Sequence, residues 1–85
     1  MTGRRLLSIR RTTLRKIEGS AIRVREIVLW QRGDERYEVA ITTHLENEPT
    51  KADVNDYWAG PSRAEGIAAF EEAVADSRRE GFEGG

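Results

Sequence analysis

Residues 36–45 contain the feature that most constrains the fold, a regular alternation of apolar and polar side chains. The more apolar phase consists of Tyr37, Val39, Ile41, Thr43 and Leu45, and the residues between them are Glu38, Ala40, Thr42 and His44. Successive side chains of a β-strand point to opposite faces, so this pattern predicts a strand with one buried face and one polar face. The fold must therefore contain a sheet that something covers on one side.

The strand before it breaks this alternation, because both faces are apolar at Ile27-Val28-Leu29-Trp30. Either Ile27 and Leu29 or Val28 and Trp30 face the covering layer, and the other pair points away from it. An exposed apolar patch commonly marks an interaction site. The alternative is a β-bulge near Glu26, with a basic N-terminal arm lying over the patch.

A helix follows the predicted sheet. Ser62 and Glu65 have the spacing of a capping box, and Gly81 suits a helix end. Gly66 is unfavourable within a helix, and its small size predicts a close approach of the helix to the sheet. An apolar stripe with the spacing of one helix face consists of Ile67, Phe70 and Val74.

Residues 4–17 fit either a strand or a helix. Leu7, Leu14 and Ile17 could form a helical stripe, whereas Thr12-Thr13 and a turn at 18–20 favour a strand. The predicted fold class is α+β, a three- or four-stranded antiparallel meander with one C-terminal helix packed on one face. The predicted organisation is a single domain over 1–85, with a first strand or arm at 4–17, a sheet at 22–59, a helix at 62–80 and a frayed tail at 81–85.

Charge is distributed unevenly along the chain, although the net charge is −1. Residues 1–36 carry ten Lys or Arg and four acids, and residues 37–85 carry four and eleven. The basic part suggests an anionic partner, and mutual attraction between the two parts explains the split equally well. The sequence has no cysteine, no apolar run that could span a membrane and no apolar signal segment, which predicts a cytoplasmic protein.

The residue types give little support for catalysis. The sequence has one histidine, His44, no cysteine, and no serine in a nucleophile-elbow context. Asp53-Val54-Asn55-Asp56 lacks the glycine and the terminal glutamate of a calcium loop. We therefore expect a protein that is not an enzyme and that uses no cofactor, no metal and no membrane.

Arginine residues of the first two strands are the best candidates for binding. A sheet face that carries Arg and an aromatic side chain can contact phosphates and stack on bases. Together with the outward apolar pair, such a face could equally meet a protein. The candidate binding residues are Arg10, Arg11, Arg15, Arg23, Arg25, Ile27, Leu29 and Trp30.

The segment YWAGPSRAEGIAAFEEAVA at residues 57–75 resembles the last strand and helix of small DNA-binding domains built on a three-stranded sheet. These are the plant Apetala-type domain and the arm-binding domain of phage integrases. RYEVAIT at residues 36–42 resembles their middle strand, and the resemblance covers roughly residues 22–78. It implies that the sheet face opposite the helix would enter the major groove, with Arg23, Arg25 and Trp30 as the matching residues.

Two functions follow from these patterns. The first is a small non-catalytic protein-interaction module, which includes a homodimer through the open sheet face and a phage-encoded inhibitor of a host complex, of the anti-CRISPR kind. The alternative is a sheet-based nucleic-acid-binding domain that uses an Arg-rich strand face. Arginines gathered on the open face would favour nucleic acid, whereas arginines paired with the helix acids Glu71, Glu72 and Asp76 would favour protein interaction.

Overall fold

The sheet predicted from the alternation is present in the computed structural model, which describes residues 6–33 and 35–84. Within those residues the elements are β1 Leu6–Glu18, β2 Ala21–Arg32, β3 Tyr37–Leu45, β4 Asp53–Gly60 and helix α1 Arg63–Arg79. The strands pair antiparallel in the order β1-β2-β3-β4, which confirms the α+β meander with one C-terminal helix. Residues 4 and 5 of the predicted first strand, Asp34 of the hairpin loop and Gly85 lie outside the described residues.

The first segment forms a strand rather than a helix. β1 pairs with β2 along its length, from Leu6 opposite Arg32 to Glu18 opposite Ala21. Gly19 has a φ of +63°, and a glycine at the first position of a two-residue turn matches the twist of a hairpin. The two-residue turn thus lets β1 pair directly with β2, and this favours the strand over the helical alternative.

Two bulges shape the outer strands. The register of β1 against β2 shifts between Ser8 and Arg10, and that of β4 against β3 shifts around Tyr57. At each bulge one extra residue is inserted, so Ile9 and Tyr57 depart from the simple alternation of their strands. The pairing is continuous at Glu26, so the bulge considered there is wrong.

The hydrophobic core lies between α1 and one face of the sheet. The sheet face that α1 covers contributes four fully buried residues, Leu14, Ile27, Leu29 and Val39. The helix contributes Phe70 and Ala73, which pack on them. Ile67 and Val74 are partly buried against this core, as the predicted stripe requires. The helix lies over β2, β3 and β4.

The start of α1 and its close approach to the sheet agree with the predictions made from Ser62, Glu65 and Gly66. The Ser62 hydroxyl accepts a hydrogen bond from the backbone N–H of Glu65 at 3.1 Å. A Cβ atom on Gly66 would lie 3.1 Å from Leu29 Cδ1 and 3.2 Å from Trp58 Cζ3. These distances are tighter than ordinary van der Waals contact, which confirms that a residue without a side chain lets the helix approach the sheet.

The prediction of a frayed tail at 81–85 is wrong for its described residues. Phe82 is 2% exposed and belongs to the core, and Glu83 exchanges two backbone hydrogen bonds with Arg15, of 2.9 and 2.8 Å. The cause is a Schellman motif, in which the N–H of Phe82 donates to Ser77 and the N–H of Gly81 donates to Arg78. Gly81, at a φ of +103°, turns the chain so that Phe82 points back into the core.

Candidate interaction surface

The side of the sheet away from α1 carries no covering element among the described residues, and we call it the open face. Because Ile27 and Leu29 of β2 are in the core, Val28 and Trp30 between them point to the opposite side. Strand pairing extends this side to the neighbouring strands. The open face consists of Ser8, Arg11, Thr13, Arg15, Ile17, Ile22, Val24, Glu26, Val28, Trp30, Glu38, Ala40, Thr42, His44, Val54, Asp56 and Ala59.

Valines at the centre of the open face are shielded although no helix covers them. Val24 and Val28 are 7% and 5% exposed. Their neighbours across the β1–β2 ladder are Arg15 and Arg11, whose long aliphatic stems can lie over apolar surface while the charged groups reach solvent. The second apolar face of β2 is therefore covered largely by side chains of its own sheet.

Arg11 and Arg15 are fixed by neighbours on the open face. The Arg11 guanidinium lies 5.8 Å from the centre of the Trp30 ring and 3.6 Å from the Glu26 carboxylate. Arg15 lies 3.7 Å from Glu46, which directly follows β3. This face is thus a mixed surface, where cationic and acidic groups alternate around an apolar centre.

Exposed apolar side chains lie at the margins of this face. Ile17 of β1 is 77% exposed and Val54 of β4 is 64% exposed. Neither was among the predicted binding residues. Both residues follow the alternation of their strands, Ile17 in β1 and Val54 two positions before Asp56 in β4. The sequence shows this alternation, but the side chains that point outward can be identified only once the strand registers are known.

Two of the predicted binding residues are corrected by the structure. Ile27 and Leu29 are fully buried between the sheet and α1, so they cannot contribute directly to a surface. Of the two alternative pairs, the one that points outward is Val28 and Trp30. Trp30 therefore keeps its place on the candidate surface.

Arg25, another candidate, lies on the helix side. Its guanidinium donates to the hydroxyls of Thr43 and Ser77, at 3.1 and 3.2 Å, and pairs with Glu80 of the helix C-cap at 3.2 Å. It also stacks over the ring of Phe82. Arg25 thus joins β2, β3 and the C-terminal end of α1.

Arg10 and Arg23 share that side of the sheet. Arg10 pairs with Glu71 of α1 at 3.3 Å, and Arg23 pairs with Glu18 at 2.9 Å. The hydrogen bond from Arg23 holds the pKa of the Glu18 carboxyl below its ordinary value, and the charges of Arg23 and Lys16 act in the same direction. Of the three residues that the DNA-binding resemblance places opposite the helix, Trp30 lies there and Arg23 and Arg25 do not.

Ion pairs engage most basic side chains of the described residues. Ten of them pair with a carboxylate, and these are Arg10, Arg11, Arg15, Lys16, Arg23, Arg25, Arg32, Arg36, Lys51 and Arg79. The partners of Arg10 and Arg25 are acids of the helix or its cap. Five of the ten pairs join a basic residue of positions 1–36 to an acid of positions 37–85, so the two parts of the chain attract each other there, as one of the two alternatives predicted.

The side chains that could act as catalytic acids or bases, His44 and Tyr57, lie within hydrogen-bond distance of other protein groups. His44 Nδ1 lies 2.7 Å from the Leu45 carbonyl oxygen. The Tyr57 hydroxyl lies 2.9 Å from both Glu72 and Asp76, and its burial, followed by the hydrogen bond to Glu72, raises the pKa of Tyr57. No group of three or more His, Cys, Asp or Glu suited to hold a metal occurs in residues 6–33 and 35–84.

Comparison with known proteins supplies no relative. The chain matches no protein-family model, no curated protein and no solved structure with which it was compared. Within the described residues, α1 is too short and too polar to cross a membrane.

Proposed function

We propose that the chain is a small non-catalytic protein-interaction module that binds its partner through the open face. The observation that carries this proposal is the pairing of the basic side chains, because Arg10 and Arg25 serve α1 rather than a ligand. The open face then offers side chains that protein interfaces favour, Trp30 and Arg11, together with exposed apolar side chains at its margins. The class includes an inhibitor of a larger complex of the anti-CRISPR kind, acting in the cytoplasm.

Nucleic acid is the second candidate, favoured by the stack of Arg11 on Trp30. A nucleic-acid surface draws most of its affinity from Arg and Lys that neutralise phosphates, and its affinity falls steeply with salt. Here Arg11 and Arg15, the basic residues of β1 on the open face, already face Glu26 and Glu46. Local neutralisation of this kind favours the protein partner.

Site-specific photocrosslinking tests the proposal. A photoreactive phenylalanine analogue replaces Val54, which is exposed on the open face, and in a matched control it replaces Ala68, which is exposed on the helix. We expect a covalent adduct with a polypeptide from position 54 and none from position 68. Equal adducts from both positions would contradict binding through the open face.

Fluorescence anisotropy with labelled single- and double-stranded oligonucleotides provides the complementary measurement. We expect no binding between about 50 and 200 mM salt, because the open face carries nearly balanced charge. Micromolar binding that weakens steeply over this range, and that Arg11→Ala abolishes, would show that the open face binds nucleic acid and would contradict the protein partner.

A further inference from the structure

We propose that the open face binds a second copy of this chain, with the two open faces packed together about a two-fold axis. The axis would run along the strands, between β2 and β3, so that β1 of one copy lies over β4 of the other. This inference rests on the proposed function and names its partner. It is carried by the arrangement of charge across the sheet and by the state of the sheet edges.

The sheet edges are poorly suited to pairing with another strand. On the β1 edge, the N–H and C=O of Arg15 are occupied by Glu83. The β4 edge is interrupted by the bulge at Tyr57 and carries exposed acids, Asp53 and Asp56. Bulges and charged side chains are the devices by which proteins block pairing at edge strands. A second copy would therefore bind to the open face rather than pair with an edge strand.

One cross-strand row of the open face is polarised, with a cation at the β1 edge and an acid at the β4 edge. It consists of Arg11 on β1, Val28 on β2, Ala40 on β3 and Asp56 on β4. A two-fold rotation about the strand direction inverts this row, so Arg11 lies opposite Asp56 of the second copy. Val28 and Ala40 in the middle of the row then lie opposite Ala40 and Val28 of the second copy, with the Arg11 side chain beside them, and symmetry creates the charge pair twice.

The other two-fold axis available to face-to-face sheets runs across the strands. It would place β1 on β1 and bring Arg11 towards Arg15 of the second copy. Like charges brought together at an interface are costly. Charge therefore selects the axis along the strands.

The face is large enough for a specific dimer. Its seventeen side-chain positions each occupy about 6.8 by 4.8 Å, which gives roughly 550 Å². Two such faces bury roughly 1,100 Å² together, above the roughly 1,000 Å² that a specific interface should clear. Aligned packing of two twisted sheets, about 30° apart, is a common solution for such faces.

Charge exchange tests the arrangement. Sedimentation equilibrium of the full chain at about 50 mM salt, from micromolar to several hundred micromolar protein, should show a monomer–dimer equilibrium. Arg11→Glu and Asp56→Arg should each raise the dissociation constant at least tenfold, and the double variant should recover most of that loss. Lys51→Glu, a charge reversal outside the face, should leave the constant within about twofold, and circular dichroism of each variant establishes that it is folded.

Three outcomes would overturn the inference: a monomer at every concentration, a dimer that Lys51→Glu weakens as much as Arg11→Glu, and no recovery in the folded double variant. The protein-interaction proposal is judged separately. If the chain is monomeric and position 54 crosslinks to a different polypeptide, the second copy is excluded and the module stands. If position 54 gives no protein adduct of any kind, both fail.

Discussion

The guanidinium of Arg25 stacks on the ring of Phe82, with 4.2 Å between the Cζ atom and the ring centre. This contact links β2 to the segment that follows α1, and the same guanidinium holds Thr43, Ser77 and Glu80. Arg23, two residues earlier on the same side of β2, makes a single pair with Glu18 near the β1–β2 turn. Two arginines on the same face of β2 thus differ in their structural roles.

Replacing Arg25 should destabilise the fold far more than replacing Arg23. Arg25→Ala leaves the buried hydroxyls of Thr43 and Ser77 without their donor, and should lower the free energy of unfolding by about 2–3 kcal/mol. Arg23→Ala removes one partly exposed surface ion pair and should cost much less. Urea unfolding followed by tryptophan fluorescence measures both. Equal losses would contradict the role assigned to Arg25.

Phe82→Ala should lower the free energy of unfolding by about 3–5 kcal/mol, because it removes a fully buried aromatic side chain. Glu83→Ala keeps the backbone bonds to Arg15 and should cost under about 0.5 kcal/mol. Guanidinium titration of the two variants provides the comparison. A small effect of Phe82→Ala would show that residues 81–84 do not dock in solution.

Gly66→Val should destabilise the chain by about 2 kcal/mol or more, because its side chain would press on Leu29 and Trp58. Ala68→Val, two residues along the helix and exposed, should cost about 0.5 kcal/mol through helix propensity alone. Thermal unfolding measured by circular dichroism separates them. The close packing of α1 on the sheet would be refuted if both variants melted together.

The pKa of the Glu18 carboxyl should lie below the ordinary value of a glutamate, because Arg23 donates a hydrogen bond to the carboxylate. Because its folded pKa is lowered, its stabilising contribution is present above the unfolded pKa and is lost as the pH falls through the folded one. Arg23→Gln should move this pKa up towards the ordinary value, and Lys16→Gln should move it less. Carbon-detected NMR titration of the Glu18 carboxyl provides the measurement. An unchanged pKa in Arg23→Gln would remove Arg23 as the main cause.

Local patterns were sufficient to predict most of the fold. The alternation at residues 36–45 and the Ser62–Glu65 cap depend on neighbouring residues, so the sequence displays them directly. The core position of Phe82 could also be predicted from the pair Gly81-Phe82, because an apolar residue directly after such a glycine often packs back on the helix in a Schellman motif.

The candidate surface was harder to predict, since β2 is apolar on both sides and its buried phase depends on distant residues. Arg25 can lie among the β2 side chains that face α1, because Ser77 and Glu80 accept hydrogen bonds from its guanidinium. Both partners are more than fifty residues away in the sequence. Alternation within β2 carries no information about such partners. Ile27 and Leu29 were therefore assigned to a surface when they belong to the core, whereas Trp30 lies on the open face.

The bridge between Arg15 and Glu83 joins segments that are 68 positions apart in the sequence, and this separation bears on the order of folding. Closing so long a loop is entropically costly, whereas the β1–β2 and β2–β3 hairpins close over short turns. We expect the hairpins to assemble before the folding barrier and Phe82 to dock after it. Substitutions at Phe82 would then accelerate unfolding and leave the folding rate nearly unchanged, so this contact governs the lifetime of the native state.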